Sequence, residues 1–134
     1  MLLKLRGGEK LYLNGAVIRV ERKATIELLN DAAFLLEAHV IQAEDANTPL
    51  RQLYFVLQTQ LMARDGAASA IQMFGAMHAD TCAAFGPGPV TEGLRAAGAM
   101  VEAGRIFEAL KTLRGLFPLE TDLMKDQASK SAAA

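Results

Sequence analysis

The chain has 134 residues, of which 51% are apolar and 22% charged, and its formal net charge is −1. This length suits one compact unit or two subdomains that share a core, and the composition is too apolar for a disordered chain. No apolar run is long enough to span a membrane, the first residues lack the apolar core of a signal peptide, and a single cysteine, Cys82, excludes an internal disulfide. We therefore expect a cytoplasmic protein without a membrane partner.

Positive charge is concentrated in residues 1–23, where six cationic and two acidic side chains give a net charge of +4, which leaves −5 for the remainder. The six cations are Lys4, Arg6, Lys10, Arg19, Arg22 and Lys23. Because the overall charge is close to zero, this asymmetry predicts a local anion-binding face on a mildly acidic body.

The N-terminal part predicts four or five short strands. Leucines at positions 3, 5, 11 and 13 alternate with polar or cationic residues, so that aliphatic side chains lie on one face and cations on the other. Gly7-Gly8 breaks the first run. Asn14-Gly15 predicts a tight hairpin turn, because both residues tolerate positive φ.

Two later runs, 24–29 and 34–41, complete a β-rich basic unit over 1–44, and the second run places His39 on a strand edge. A β unit of this size buries too little apolar surface to stand alone. It therefore needs cover from the rest of the chain or from a second copy, and the sequence leaves a homodimer open.

Residues 45–125 predict a bundle of about four helices, so that the expected fold class is α+β with a small antiparallel β unit first. Thr48 is expected to cap the first helix, with Pro49 at its first position. Residues 126–134 are expected to fray.

The other helices are separated by strong breaks. The second helix is expected over about 67–85, between Asp65-Gly66 and the GPGP sequence at 86–89, with these residues on one side: Ile71, Phe74, Met77, His78, Cys82 and Phe85. The third is expected over about 90–103, with Gly104 as its stop. The fourth begins near Arg105, and Pro118 is expected to kink or end it.

Candidate catalytic and metal-binding residues are few. His78 and Cys82 lie four residues apart on a predicted helix, but two ligands do not make a metal site, so core packing is the favoured interpretation. Serines occur only at 69, 129 and 131, which makes a catalytic triad a poor hypothesis. The sequence predicts no enzyme, no metal and no cofactor, although a deep polar pocket joining His78 to a carboxylate would revive catalysis.

The cationic strands have two interpretations. They form either the solvated outer face of a sheet or a surface that contacts nucleic-acid phosphates. Tyr12 is the one aromatic residue within 1–23, with Phe34 further on. That is too little for the stacking platform of the usual RNA-binding sheet.

Three segments of the chain resemble the FlbT family. The sequence EDANTPLRQLYFVLQTQLM resembles the segment that leads into the family's first helix. The sequences RGGEKLYLNGAVIRV and EAGRIFEALKTLRGLFPLETDLM are similar to its patterns near the two ends. Together they extend from Leu3 to about Met124 in the family's order, and Thr48–Gln58 and Glu108–Arg114 are the most specific parts.

The resemblance implies a post-transcriptional regulator of flagellin synthesis. Such proteins associate with the 5′ untranslated leader of flagellin messenger RNA and work with a second small protein, FlaF. In this interpretation the six cations contact the leader. The alternative is a protein–protein module that acts through a FlaF-like protein or flagellin, with an indirect RNA association.

The N-terminus is also similar to that of CsrA-type translational regulators, which are intertwined β dimers. Those proteins grip RNA with an arginine near the start and a second arginine directly after a histidine. Arg6 matches the first, but His39 is followed by Val40, so the second is missing. This resemblance implies a similar β scaffold in which a different residue takes the place of the second RNA-contacting arginine. The candidates for that place are Lys4, Arg19, Arg22 and Lys23.

Overall fold

The computed structural model describes residues 2–13, 16–30, 34–62 and 67–133, with side chains for all of these except 67–69 and 127–133. Five short strands come first: β1 (Leu2–Leu5), β2 (Lys10–Leu13), β3 (Ala16–Arg19), β4 (Ala24–Glu27) and β5 (Phe34–Leu36). Four helices follow: α1 (Pro49–Met62), α2 (Ala67–Phe85), α3 (Pro89–Glu102) and α4 (Ile106–Ala133). The predicted α+β class is confirmed.

The first four strands form one antiparallel ribbon. β1 pairs with β4 from Leu2 opposite Glu27, and β2 pairs with β3 up to Leu13 opposite Ala16, in a single continuous register. Only two positions separate Leu13 from Ala16, which is the spacing of a tight hairpin. The predicted Asn14-Gly15 turn itself lies outside the described residues.

A glycine turn interrupts the ribbon between β1 and β2. The N–H of Glu9 donates to the carbonyl of Arg6, and Gly8 has a φ of +83°, which a residue with a Cβ rarely adopts. The N–H of Gly8 donates to Val20 O, while the N–H of Val20 donates to Glu9 O, the hydrogen bonds of a glycine bulge. The predicted break at Gly7-Gly8 is confirmed, and it divides the ribbon into two short sheets.

The central sheet, β3-β2-β5, has apolar contacts on both faces. One face belongs to a small ribbon core, formed by Leu3, Leu5, Leu11 and Phe34, against which Phe107 of α4 packs. The other face presents Leu35 to the main core, which is otherwise built from the four helices. The helices therefore supply the cover that the β unit requires.

The prediction that 34–41 forms a strand with His39 on its edge was wrong. β5 ends at Leu36, and a single 3-10 turn follows over Glu37–His39. Contacts from α1 explain the change of direction, because the Tyr54 hydroxyl donates to His39 O at 2.6 Å. The Gln58 amide then donates to Ile41 O and accepts from Ile41 N, both at 2.9 Å. These side chains replace a neighbouring strand as hydrogen-bonding partners.

Local signals set the helix ends as predicted. The N–H of Arg51 donates to Thr48 Oγ1 at 3.2 Å, which confirms the cap on α1. Gly104, with a φ of +78°, stops α3, since its N–H donates to Val101 O and that of Arg105 to Met100 O.

Helix α4 is longer than expected. Pro118 lies inside it and does not end it. The helical backbone continues to Ala133, past the boundary predicted at residue 125, because most of the residues after Pro118 favour helix. Fraying of 126–134 in solution stays a prediction.

Helix α2 buries fewer residues than its pattern predicts. Phe74 is buried, and four of the other predicted inward residues are partly buried, but Ile71 is 40% exposed. Helix α3 buries Leu94, Ala97 and Val101 along one side. The main core is therefore centred on α1, α3 and α4.

Candidate nucleic-acid interface

All six cations singled out in the sequence are exposed in the structure. Lys10 and Arg19 are brought directly opposite each other, as a cross-strand pair of β2 and β3. Lys4 lies on β1, opposite Thr25 of β4, between the buried Leu3 and Leu5. The alternation that the sequence predicted therefore places these cations away from the ribbon core.

The other three cations lie where the ribbon is interrupted. Arg6 opens the glycine turn, and Arg22 and Lys23 lie in the facing connection between β3 and β4. The turn is packed closely against that connection, because a Cβ on Gly7 would lie 3.1 Å from Glu21 O and 3.5 Å from Arg22 Cα. Two cations thus lie on the central sheet, three lie at the interruption, and Lys4 lies on β1.

These cations are free of ion pairs in the part of the chain that the structure describes, where the ion pairs are Arg51–Glu120 and Arg105–Glu108. One acidic side chain does approach the central pair, since Glu37 Oε2 accepts the backbone N–H of Lys10 at 3.0 Å. The ribbon therefore carries exposed positive charge that is not neutralised internally, which is what binding to phosphate requires.

A groove of about 410 Å³ lies beside this charge, between β2 and α1. It is lined by two aromatic residues, Tyr12 and Phe55, by aliphatic residues that include Met62, and by the polar Gln42 and Thr59. Tyr12 was apparent from the sequence, whereas Phe55 was not. The packing of α1 against the sheet places Phe55 on the same groove as Tyr12.

His78 has a packing role between two helices. His78 Nε2 lies 2.6 Å from Leu94 O and therefore ties α2 to α3, while Cys82 Sγ is 3.9 Å from the same nitrogen. A Cβ on Gly98 would lie 2.9 Å from that nitrogen, so the ring fills a tight gap between the helices. Within the described ranges, no group of three histidine, cysteine or acidic residues is placed to hold a metal ion.

A polar cluster that the sequence did not predict joins α1 to α4. Arg114 Nη1 donates to the Tyr54 hydroxyl at 2.9 Å, and Arg51 lies over the Phe117 ring at 4.8 Å. Glu120 is fully buried and accepts the N–H of Leu50 at 2.9 Å. Tyr54 and Arg114 belong to the two segments that carry the most specific family resemblance. That resemblance was the one feature of the sequence that could have pointed to these residues.

The pKa values of two residues in or beside this cluster are shifted from their ordinary values. Burial lowers the pKa of His39 below its ordinary value of 6.5, and the charge of Arg114 lowers it further. Burial raises the pKa of Tyr54 above 10.0, against an opposing effect of the hydrogen bond from Arg114. Both shifts favour the neutral form of the group.

Apolar side chains are also exposed on the helices. Met73 of α2 and Leu119, Leu123 and Met124 of α4 are between 39% and 57% exposed. Leu119 and Leu123 are four residues apart and so share one side of α4. Among the described helices, none combines the length and apolar character that crossing a membrane requires.

These features define a class of protein: a small α+β chain in which an exposed cationic ribbon rests on a four-helix bundle. The family model "Flagellar protein FlbT" matches residues 1–124, and the chain belongs to the FlbT family. This confirms the resemblance seen in the sequence. The family name is not that of an enzyme.

Several relatives are similar along most of their length, and the three that follow are named probable flagellum biosynthesis repressor proteins FlbT. The Mesorhizobium japonicum protein is 50% identical over 118 residues, which cover 88% of this chain and 80% of that protein. The Chelativorans sp. protein is 46% identical over 122 residues, 91% and 84% of the two chains. A Bradyrhizobium diazoefficiens protein is 44% identical over 129 residues, 96% and 95% of the two chains. No solved structure matches this chain.

Proposed function

We propose that this protein regulates flagellum synthesis after transcription, by associating with the 5′ untranslated leader of flagellin messenger RNA and altering its translation or decay. Family membership and the relatives' names support a regulatory role in flagellum synthesis. The observation that carries the RNA-binding step is the row of exposed, unpaired cations along the ribbon, led by the opposed Lys10 and Arg19.

The proposed mechanism needs no catalysis. Each phosphate that a lysine or arginine neutralises releases condensed counterions, which favours binding at low salt. Strand pairing fixes the backbone positions from which the cations extend, so that binding has to order only their side chains. An occupied leader then has altered access for ribosomes and nucleases, and the relatives' names support repression as the outcome.

The test is a titration of the purified protein against the flagellin leader transcript. Replacing Arg6, Arg19 and Arg22 by alanine is expected to leave folding intact, because all three side chains are exposed. It is expected to weaken leader binding at least tenfold at low salt. It should also flatten the salt dependence by roughly 0.7 in log–log slope for each phosphate that the variant no longer neutralises.

The matched control removes the same number of charges from the helices. Arg95, Lys111 and Lys125 are exposed, and their triple alanine variant has the same net charge as the ribbon variant. It should bind the leader nearly as well as the unaltered protein. Equal binding by the ribbon variant, or equal weakening by both variants, would show that the ribbon is not the RNA-binding surface.

The second candidate function is a protein–protein module that acts through a FlaF-like protein or flagellin. The exposed apolar side chains on α2 and α4 favour it, because such residues adapt well to a partner surface. Under this alternative, the purified protein alone fails to bind the leader, and binding requires the partner. A Leu119→Asp, Leu123→Asp variant would then lose leader association together with the partner, whereas direct RNA binding would be unchanged.

A further inference from the structure

We infer that the groove between β2 and α1 binds one unpaired base of the RNA strand whose phosphates lie on Lys10 and Arg19. This inference rests on the proposed RNA-binding function and assigns to it a base-recognition site.

The central sheet places charge and an aromatic ring on one surface. Lys10 and Tyr12 are two residues apart on β2, so their side chains leave the same face. Their partners on β3, Arg19 and Val17, stand directly opposite on that face. Two residues of a strand rise about 6.6 Å. The cationic pair and the Tyr12 ring are thus neighbours, at a separation that a single nucleotide can bridge.

The groove has the chemistry that a base requires. Its two aromatic residues come from different elements, Tyr12 from β2 and Phe55 from α1, and Met62 extends the apolar wall. Exposed Gln42 and Thr59 provide polar groups at the rim, and an amide such as that of Gln42 can both donate to and accept from a base edge. An apolar slot with a polar rim suits a flat heteroaromatic ring.

The position of the groove favours a base over a peptide. Single-stranded RNA is recognised where bases are splayed out onto aromatic side chains beside a cationic track. Tyr12, which lines this groove, is two residues from Lys10 and on the same face of β2, so a base in the groove would lie next to such a track. A nucleotide uses both features at once, through its phosphate and its base.

One neighbouring acidic side chain is expected to weaken phosphate binding at this site. Removing its charge therefore tests the inference. Glu37 Oε2 accepts the backbone N–H of Lys10 at 3.0 Å, so its carboxylate lies beside the residue whose side chain is proposed to bind phosphate. Glu37→Gln keeps an oxygen that can accept this hydrogen bond and removes the negative charge. It is expected to tighten RNA binding severalfold at low salt, and this gain should disappear as salt is raised.

The experiment separates base binding from phosphate binding in the full-length protein. Leader RNA is titrated at several salt concentrations against Tyr12→Leu, Tyr12→Phe and a Lys10→Gln, Arg19→Gln double variant. Tyr12→Leu keeps the apolar bulk but loses the ring, so affinity should fall roughly five- to a hundredfold with an unchanged salt slope. Tyr12→Phe should bind within about twofold of the unaltered protein, and the double variant should lower the slope.

A second variant closes the groove without touching either aromatic residue. Thr59 is exposed on α1, and Thr59→Leu fills the space beside Phe55 while leaving the charge of the ribbon unchanged. It should weaken leader binding as Tyr12→Leu does. In parallel, leader RNA carrying 5-iodouridine is irradiated in the complex, and the cross-link is expected on Tyr12 or Phe55.

The outcomes distinguish this inference from the function on which it rests. If the unaltered protein does not bind the leader, the proposed function fails and the inference fails with it. If the protein binds and the ribbon variant is weakened, but Tyr12→Leu and Thr59→Leu bind normally, the ribbon is an RNA-binding surface and the groove is not a base site. If the Thr59→Leu variant binds RNA normally but no longer binds a protein partner, the groove is a peptide-binding site and the inference is wrong.

Discussion

The carboxylate of Glu120 belongs to the last helix and serves the start of the first. Its Oε2 accepts the N–H of Leu50, one of the amides in the first turn of α1 that have no partner within the helix. Its negative charge lies at the positive end of the α1 dipole. Arg51 Nη1 lies 3.6 Å from the other oxygen. A single buried side chain therefore connects α1 to α4, in addition to the apolar packing between them.

Replacing Glu120 by alanine is expected to lower the free energy of unfolding by about 2–4 kcal/mol, because it leaves the Leu50 amide unpaired and Arg51 without its partner. Denaturant unfolding measures this change. The matched control is Glu108→Ala, which breaks a pair with Arg105 that is roughly half exposed and should change stability by less than about 1 kcal/mol. Equal effects of the two substitutions would contradict a special role for Glu120.

His39 makes stability depend on pH. In the folded protein its pKa lies below 6.5, through burial and the nearby Arg114, whereas the unfolded chain has the ordinary value. As the pH falls through 6.5, the unfolded state therefore binds more protons than the folded state, and stability decreases. His39→Gln should lose less stability than the unaltered protein between about pH 7.5 and 5.5. If the curves of unfolding free energy against pH are parallel for the two proteins, His39 is not the source of this pH dependence.

Helix α1 organises the elements around it. Thr48 caps its start, Tyr54 bonds the 3-10 turn at His39, and Gln58 holds both backbone groups of Ile41. All three residues lie in the Thr48–Gln58 segment of the family resemblance. The segment that identifies the family therefore acts largely through contacts within the fold, although its members Phe55 and Gln58 also line the groove.

Replacing a helix glycine by alanine is expected to have opposite effects on stability at two positions. In Gly98→Ala the new Cβ would lie 2.9 Å from His78 Nε2, and that ring is held by its contact with Leu94 O, so stability should fall by about 1–3 kcal/mol. In Gly115→Ala the new Cβ meets no other atom within 4 Å, so stability should rise by about 0.5–1 kcal/mol. Thermal unfolding measures both, and a stabilised Gly98→Ala protein would contradict the tight packing of α2 on α3.

Element boundaries were predictable where local chemistry sets them. Thr48-Pro49 starts α1, Gly104 stops α3, and Gly7-Gly8 ends β1, each through the conformation of the residue itself. The end of β5 was not predictable, because its cause is the hydroxyl of Tyr54, a residue on a different element. The buried Glu120 was missed for the same reason, since its partners are about 70 residues away.

The whole molecule has two unequal cores. The main core joins the four helices and Leu35, whereas the ribbon core rests on four buried residues and depends on Phe107 of α4 for cover. The Phe107 and Phe34 rings have centroids 4.6 Å apart. The ribbon that carries the proposed RNA contacts is therefore covered by a side chain of the last helix.

Phe107→Ala is expected to reduce the free energy of unfolding by about 2–3 kcal/mol and to increase amide exchange in β1 and β4 more than in α1. Hydrogen-exchange measurements resolved by residue test this expectation. Met73→Ala is the matched control, because it removes an apolar side chain that is 57% exposed and should change stability by less than about 0.5 kcal/mol. Uniform loss of protection across ribbon and helices would show that the two cores unfold as one.

The amino-acid sequence by itself determined the class of fold, the cationic ribbon and the family, because alternation, helix periodicity, capping residues and charge are properties of neighbouring positions. Tertiary structure alone decided which of these features meet. It placed Lys10 opposite Arg19, put Phe55 and Tyr12 on one groove and buried Glu120 at the start of α1. These contacts join residues from separate elements, and their formation depends on how apolar surfaces pack, which no local pattern specifies.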